Sequence, residues 1–431
     1  MAELIVKLKQ HTPIIHFQHY QKGATLRASE LKPKLDKFLI AKLKSQGIDY
    51  KKWLIGNGTH PALNYKVKIF PISKPLIDYI EEPKMNNGKF DQRKGSDGSI
   101  STKTKPYPLF FGNLGKNYEK DKTIKKFLFY EEPILIKLIS LDYGLLNEIQ
   151  KNLPEFFALE NFGSRQDKGF GSFYIDKNDK NYKELDINLF DYNFQISVSG
   201  NNYHKFRELF YKLELFYKAL RPGINLKDRT GNTKLYFKSL LFFYAKHNQI
   251  QWEKKTIKEK FFNNYLTHQL GQYPHSDVLN YSSNNKKLIK DLFGLSTNED
   301  WISYRNLITK VEAKKDGKGN WVKKEENEDQ IERFKSPIFF KIIENGVNGN
   351  YNVFIKLCDD IPIRGKWFII EEKKGKSFPL QIPEDFSIKD FFKFIINKSN
   401  FDISTYVESS FKSSDEYKIL ENIFNQLQNK P

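Results

Sequence analysis

Cysteine is all but missing from this chain. The single one, Cys358, allows no intrachain disulfide and no cysteine zinc site. Long apolar runs are missing too: no stretch approaches the ~18–20 residues that a membrane span needs. The opening MAELIVKLKQ alternates like a strand and lacks the apolar run of a signal peptide. These absences lead us to expect a soluble protein of a reducing, cytoplasmic setting. There is no P-loop, and no GxGxxG follows a strand, so no nucleotide cofactor is expected. Acidic residues are in deficit, 52 against 71 Lys and Arg, for a formal net charge of +19. Such a bias favours a polyanionic partner, nucleic acid before membrane.

Aromatic residues are abundant at 15%, with 37 Phe, so core material is not scarce in 431 residues. The stretch that organises the rest is ALENFGSRQDKGFGSFYID, residues 158–176. Gly163, Gly169 and Gly171 bracket Arg165 and Lys168, and an aromatic strand follows. Glycine permits positive φ and close backbone approach. Arginine and lysine donate to phosphates. The blander expectation for GFGSF is a basic turn that leads into a strand.

In chain order, residues 3–17 alternate as a strand that Pro13 ends. A polar loop around Gly23 follows. Ser29 offers a helix N-cap, and Leu31, Leu35 and Leu39 recur at helical spacing opposite Lys32, Lys34 and Lys37. Residues 64–73 read as a second strand. Residues 83–106 are Gly, Ser, Asn and Lys-rich and read as a long loop. Residues 126–140 read as one or two strands, and 142–157 as a helix ending near Pro154. The order strand, helix, strand, strand, helix, strand is a ferredoxin-like split βαβ plan, shared by RRM-type RNA binders. The pattern restarts at 191–199. Helices are expected at 202–220, 233–248 and after 257, a Lys/Glu-rich hairpin or loop at 311–332, three more strands, and helices near 387–397 and 414–428. The apolar faces of those last helices, Phe391, Phe392, Phe394, Leu420, Ile423 and Phe424, are read as core in preference to a subunit interface.

VKLKQHTPIIHF with its basic helix, ENFGSRQDKGFGSFYI, DLFGLS and RFKSPIFFKII together resemble segments of the RAMP proteins of CRISPR type III effector complexes. With the glycine loop mid-chain and a second domain after it, the layout is most similar to the Cmr-one subunits of type III-B complexes. The resemblance implies an α+β chain of tandem ferredoxin-like (RRM-like, RAMP) domains, the second elaborated with extra helices. It divides as 1–185, carrying the glycine loop, and 186–431. It also implies a non-catalytic place at the 3′ end of the guide, in contact with guide (crRNA) and target RNA, other RAMP subunits and the large polymerase-like subunit.

On this reading Arg165, Lys168 and the amides of Gly163, Gly169 and Gly171 hold RNA phosphates, and Phe170 stacks on or shields a nucleotide. Lys22, Arg27, Lys32 and Lys34 line the same face. No metal is expected. A catalytic alternative stays open: metal-independent repeat cleavage that uses His16 or His19, or the role of another type III RAMP subunit. Asp91 and Asp97 are the candidates for target cleavage.

Overall fold

The computed structural model describes residues 2–15, 26–56, 61–79, 126–200, 203–228, 230–262, 281–301, 306–325, 327–346 and 349–429, with short pieces between 81 and 106. Two compact units result. One is Met1–Tyr211 with Phe339–Lys356, the other Lys212–Ile338 with Leu357–Pro431.

In the first unit, strand β1 (Ala2–Gln10) points Leu4, Val6 and Leu8 inward and Glu3, Ile5 and Lys7 outward. This period of two fixes its register, because a one-residue slip would turn every leucine to solvent. Around it lie β2 (Lys66–Pro71), β3 (Ile134–Ser140) and β4 (Phe173–Ile175) in the order β4-β1-β3-β2. All three pairings are antiparallel. Helices α1 (Ala28–Ser45) and α2 (Tyr143–Leu159) bring Leu31, Leu35, Leu39 and Leu43, and Leu145, Ile149 and Leu153, into one core with the inward face of β1 and β3. Each such leucine contributes about 1.5–3 kcal/mol by leaving water. Helix α1 follows β1 and helix α2 follows β3 in the chain.

The unit also holds a three-stranded sheet in the order β5-β7-β6, from β5 (Tyr192–Ser197), β6 (Ile338–Asn345) and β7 (Asn350–Leu357). Helix α3 (Tyr203–Leu220) follows β5.

Local expectations needed revision in several places. α1 starts at Ala28 with Arg27 in the cap position, two residues before Ser29. α2 runs past Pro154 to Leu159, because the turn beyond the proline buries Phe156 and Phe157 in the core. That burial offsets the ~3 kcal/mol that an interior proline costs. Within 83–106 the described pieces form short ladders, Ile100–Thr102 on Gln92–Lys94 and Thr104–Pro106 on Glu81–Pro83, rather than a structureless loop. Residues 91 and 97 lie outside the described ones.

The second unit has its own sheet. Asn298–Trp301, Asn306–Lys315, Trp367–Glu372 and Ser377–Gln381 lie side by side in that order, and Trp321–Lys323 pairs with Asn306–Lys315. The Lys/Glu-rich stretch is therefore a hairpin, with Trp321 stacked on Trp367 at 4.5 Å. This sheet does not repeat the β4-β1-β3-β2 order. Thr233–Phe237, expected as helix, is a strand on Ile224–Lys227, and the helix starts only at Leu240. Its β-branched and aromatic residues, and the cap at Ser239, explain the break. The final helices, Ile388–Ile396 and Asp415–Gln428, bury the six apolar residues read as core.

A buried ionic cluster fixes the DLFG segment of this unit. Lys310 is fully buried, 2.6 Å from Asp291 and 2.9 Å from Glu299. Arg221 donates to the carbonyls of Lys290 and Gly294. Its charge, part of the basic turn 221–229, serves the interior of the unit.

Candidate nucleic-acid interface

The glycine-rich loop is a closed Ω of backbone. Asn161 bridges Ser172, and the Phe162 N–H donates to the Gly171 carbonyl at 3.0 Å. Inside this base, Gln166–Lys168 make one 3₁₀ turn with Arg165 at its head. Arg165 is in the left-handed region, φ 61°, which is rare and costly for a residue with a side chain. At Gly171 a Cβ would overlap the Phe162 carbonyl, and at Gly163 it would lie 2.7 Å from the Ile15 oxygen. Only glycine lets these strands of backbone approach so closely.

Three neighbours hold the loop. The extension after β1 is the first. The Gly171 N–H donates to the Pro13 carbonyl and the Ser164 N–H to that of Ile15, both at 2.8 Å. The Thr12 hydroxyl donates to the Gly169 carbonyl at 2.6 Å and accepts from the Ser172 N–H at 2.9 Å.

Helix α1 is the second. Glu30 accepts from the Gly163 N–H at 2.7 Å, and burial raises its carboxyl above the usual range despite that bond and nearby Lys34. The Lys34 ammonium donates to Glu160, to the Asn161 carbonyl and to Gln166.

Strand β6 is the third. The Asn161 amide donates to the Phe340 carbonyl at 2.9 Å and the Ser172 hydroxyl to that of Ile342 at 2.7 Å. The fully buried Lys341 ammonium donates to the carbonyls of Glu160 and Phe173, both at 2.9 Å, and to the Asn161 side chain at 3.2 Å.

This geometry sorts the residues singled out from sequence. The amides of Gly163, Gly169 and Gly171 are already given to Glu30, Gln166 and Pro13, so they are not the phosphate donors expected. Phe170 is buried and its ring lies flat on Phe210, 3.8 Å away. Its ring face is spent on that contact, so it does not offer the stacking surface expected. Lys32 is held by Asp36 at 2.6 Å and by the Leu63 carbonyl, with the Tyr65 ring 4.4 Å off. Lys32 and Lys34 are thus struts between α1 and its surroundings.

Arg165 and Lys168 remain half-exposed on the loop, and Arg27 at the N-terminal end of α1. Burial lowers the Arg165 guanidinium to about 10, which leaves it charged at neutral pH. The loop lies beside α1's N-terminal turn, whose dipole favours anions. Lys22, His16 and His19 lie outside the described residues. The residues missed from sequence are Thr12, Glu30, Asn161 and Lys341. A signal existed only for Glu30 and Lys34, which share a helix face at a spacing of four.

Among the described residues no helix is long and apolar enough to cross a membrane, and no His, Cys, Asp and Glu group is arranged to hold a metal. No curated protein matches the chain. A solved structure does: the crystal structure of Cmr1 from Pyrococcus furiosus (apo form). It is 12% identical, spans 83% of this chain and 88% of its own, and has a TM-score of 0.34. The family model for the Cmr1 N-terminal domain matches residues 1–224, and that for the Cmr1 C-terminal domain matches 236–429. With two such models end to end along it, the chain belongs to the Cmr1 family of RAMP proteins, and membership implies a subunit of a type III CRISPR complex.

Proposed function

We propose that this chain is a non-catalytic RNA-binding subunit of that complex, touching the 3′ region of the guide RNA, the target RNA, or both, in antiviral defence in the cytoplasm. Its companions are the other RAMP subunits and the large polymerase-like subunit. The observation that carries the reading is the pair of half-exposed cationic residues, Arg165 and Lys168, on a loop braced from three sides. A rigid loop that presents guanidinium and ammonium groups suits phosphate contact, which positions RNA without reading its bases. Guide pairing then carries the sequence choice. The same reading takes the fold as two ferredoxin-like repeats. Residues 1–185 carry the first, and 186–431 the second, with β5, α3, β6 and β7 as its elements.

Fluorescence anisotropy on a single-stranded guide RNA between 50 and ~200 mM salt tests this. Arg165→Gln with Lys168→Gln should reduce the log–log salt slope by about 1.4, as two lost contacts to a single strand require. Lys34→Met should instead lower thermal stability and leave the slope unchanged, because its ammonium is already satisfied within the fold. An unaltered slope in the double variant removes those two residues from the interface. Cleavage of repeat RNA in EDTA, lost on His16→Ala or His19→Ala, would move the chain to the catalytic reading.

A further inference from the structure

The two helices cover one face of the four-stranded sheet; on the other, Lys9 is held by Glu344 at 3.0 Å and Tyr174 on β4 is buried, but the part formed by β1, β3 and β2 is open. Strand register lays that open face out as three rows: Glu3, Ile139, Lys66; then Ile5, Lys137, Lys68; then Lys7, Leu135, Phe70. An open antiparallel face is ordinarily polar. Here Ile5 is 47% exposed and Phe70 46%, and Ile72, just past the end of β2, is 58% exposed. The charges are as one-sided. Glu3 is the one carboxylate in the rows and is held by Lys137 at 2.7 Å. The ammonium groups of Lys66 and Lys68 make no ion pair among the described residues, nor does that of Lys7, although Asp179 accepts from the Lys7 main-chain N–H at 2.7 Å. Lys137 lies directly opposite Lys68, a like-charge cross-strand pair that opposes folding. An apolar patch edged by unneutralised ammonium groups gains twice when an acidic, apolar surface covers it.

We propose that this open face docks a segment of another protein subunit, one whose apolar side chains are flanked by Asp and Glu. The inference rests on the reading of the chain as a subunit of a complex, but not on the glycine loop. Single-stranded RNA is the other polyanion to weigh. Bases dock on aromatic rings and guanidinium planes. The three rows hold one ring, Phe70 on the edge strand, no arginine, and otherwise Ile5, Leu135 and Ile139. Branched aliphatic side chains pack against leucine-like partners and give a base nothing to stack on. A second copy of the chain is disfavoured as well, since it would set lysines against lysines.

The full chain, carrying the photoreactive benzoylphenylalanine in place of Phe70, is assembled with the other protein subunits and guide RNA of its host's complex, irradiated and analysed by mass spectrometry. The expected product is a cross-link to a peptide of another subunit with acidic residues around apolar ones. A cross-link to RNA, one within the chain, or none at all overturns the proposal. In parallel, Ile5→Glu with Phe70→Glu, and separately Lys66→Glu with Lys68→Glu, should each cut incorporation into the complex by about tenfold or more. The free variants should keep the parent's thermal midpoint and its RNA affinity to within about twofold, since all four positions are on the surface. Unchanged incorporation, or RNA affinity that falls as far as incorporation does, also overturns it. Failure of the Arg165 and Lys168 test leaves this outcome untouched, so the two readings fail separately.

Discussion

The Lys341 ammonium donates to the side-chain oxygen of Asn161 across 180 residues of sequence. Its other two donors go to the Glu160 and Phe173 carbonyls. All three protons of the cation are used, and all three acceptors belong to the two stems of the glycine loop. The lysine is a peg that joins the two stems to β6, with no carboxylate in the arrangement.

Lys341→Met should therefore cost about 3 kcal/mol, because buried acceptors left without donors cost ~1–3 kcal/mol each and partly relax. Urea unfolding followed on the first unit measures it, with faster amide exchange at 161–172 as the local sign. Burial pushes the Lys341 ammonium well below its ordinary range. The unfolded chain then binds the extra proton between that lowered value and about 10.4, so this group makes stability rise with pH across that window. A variant as stable as the parent would remove Lys341 as the peg.

His11 gives a pH dependence in the acid range. It is buried, and its Nδ1 accepts the Glu344 N–H at 3.1 Å, so the ring is neutral in the fold. Burial, then the charges of Lys9, Lys341, Lys177 and Lys205, hold it well below its ordinary value. Below about pH 6.5 the unfolded chain takes up a proton that the folded chain refuses. Stability should fall by up to ~1.4 kcal/mol per pH unit there, and this group should add no slope above it. His11→Asn should flatten that part of the curve. An equal slope in both proteins would mean that other groups carry it.

Gly171→Ala should be worse than an ordinary surface change. Positive φ costs an L-residue about 1–2 kcal/mol, and the new methyl meets the Phe162 carbonyl, adding ~1–3 kcal/mol of overpacking. Thermal unfolding and RNA affinity should drop together. A variant that loses neither would show that the loop closes in another way.

In the second unit, Lys310→Met should cost about 3–5 kcal/mol, since it strands Asp291 and Glu299. Burial alone would raise the Glu299 carboxyl, but Lys310 and Lys290 pull it far below the usual range. Its contribution is present above about pH 4.3 and is lost as pH falls through the lowered value. Urea midpoints at pH 7 and in acid should converge between parent and variant. A constant gap would contradict the assignment.

What sequence revealed and what it hid divide along one physical line. Patterns whose meaning is local were legible: the alternation of β1, the leucine stripe of α1, the glycines of the loop, and the buried faces of the last two helices. Side-chain destinations set by distant partners were not. Lys34 looks in sequence like any lysine of a basic helix face, yet its ammonium is committed to Glu160, Asn161 and Gln166. Phe170 looks like a stacking residue until Phe210, forty positions on, is found beneath it. Thr233–Phe237 was misread because LYF and LLFF run together without a strong breaker between them.

The seat for β6 has a consequence for how the chain is made. Asn161, Ser172 and the carbonyls of Glu160 and Phe173 leave the ribosome long before Phe340, Lys341 and Ile342. At about 5–20 residues per second, a gap of 180 residues is roughly 9–36 s of translation. For that time the loop's polar stems stand open to water or to whatever else offers a strand edge. A messenger that slows translation between codons 173 and 340 would widen that opening.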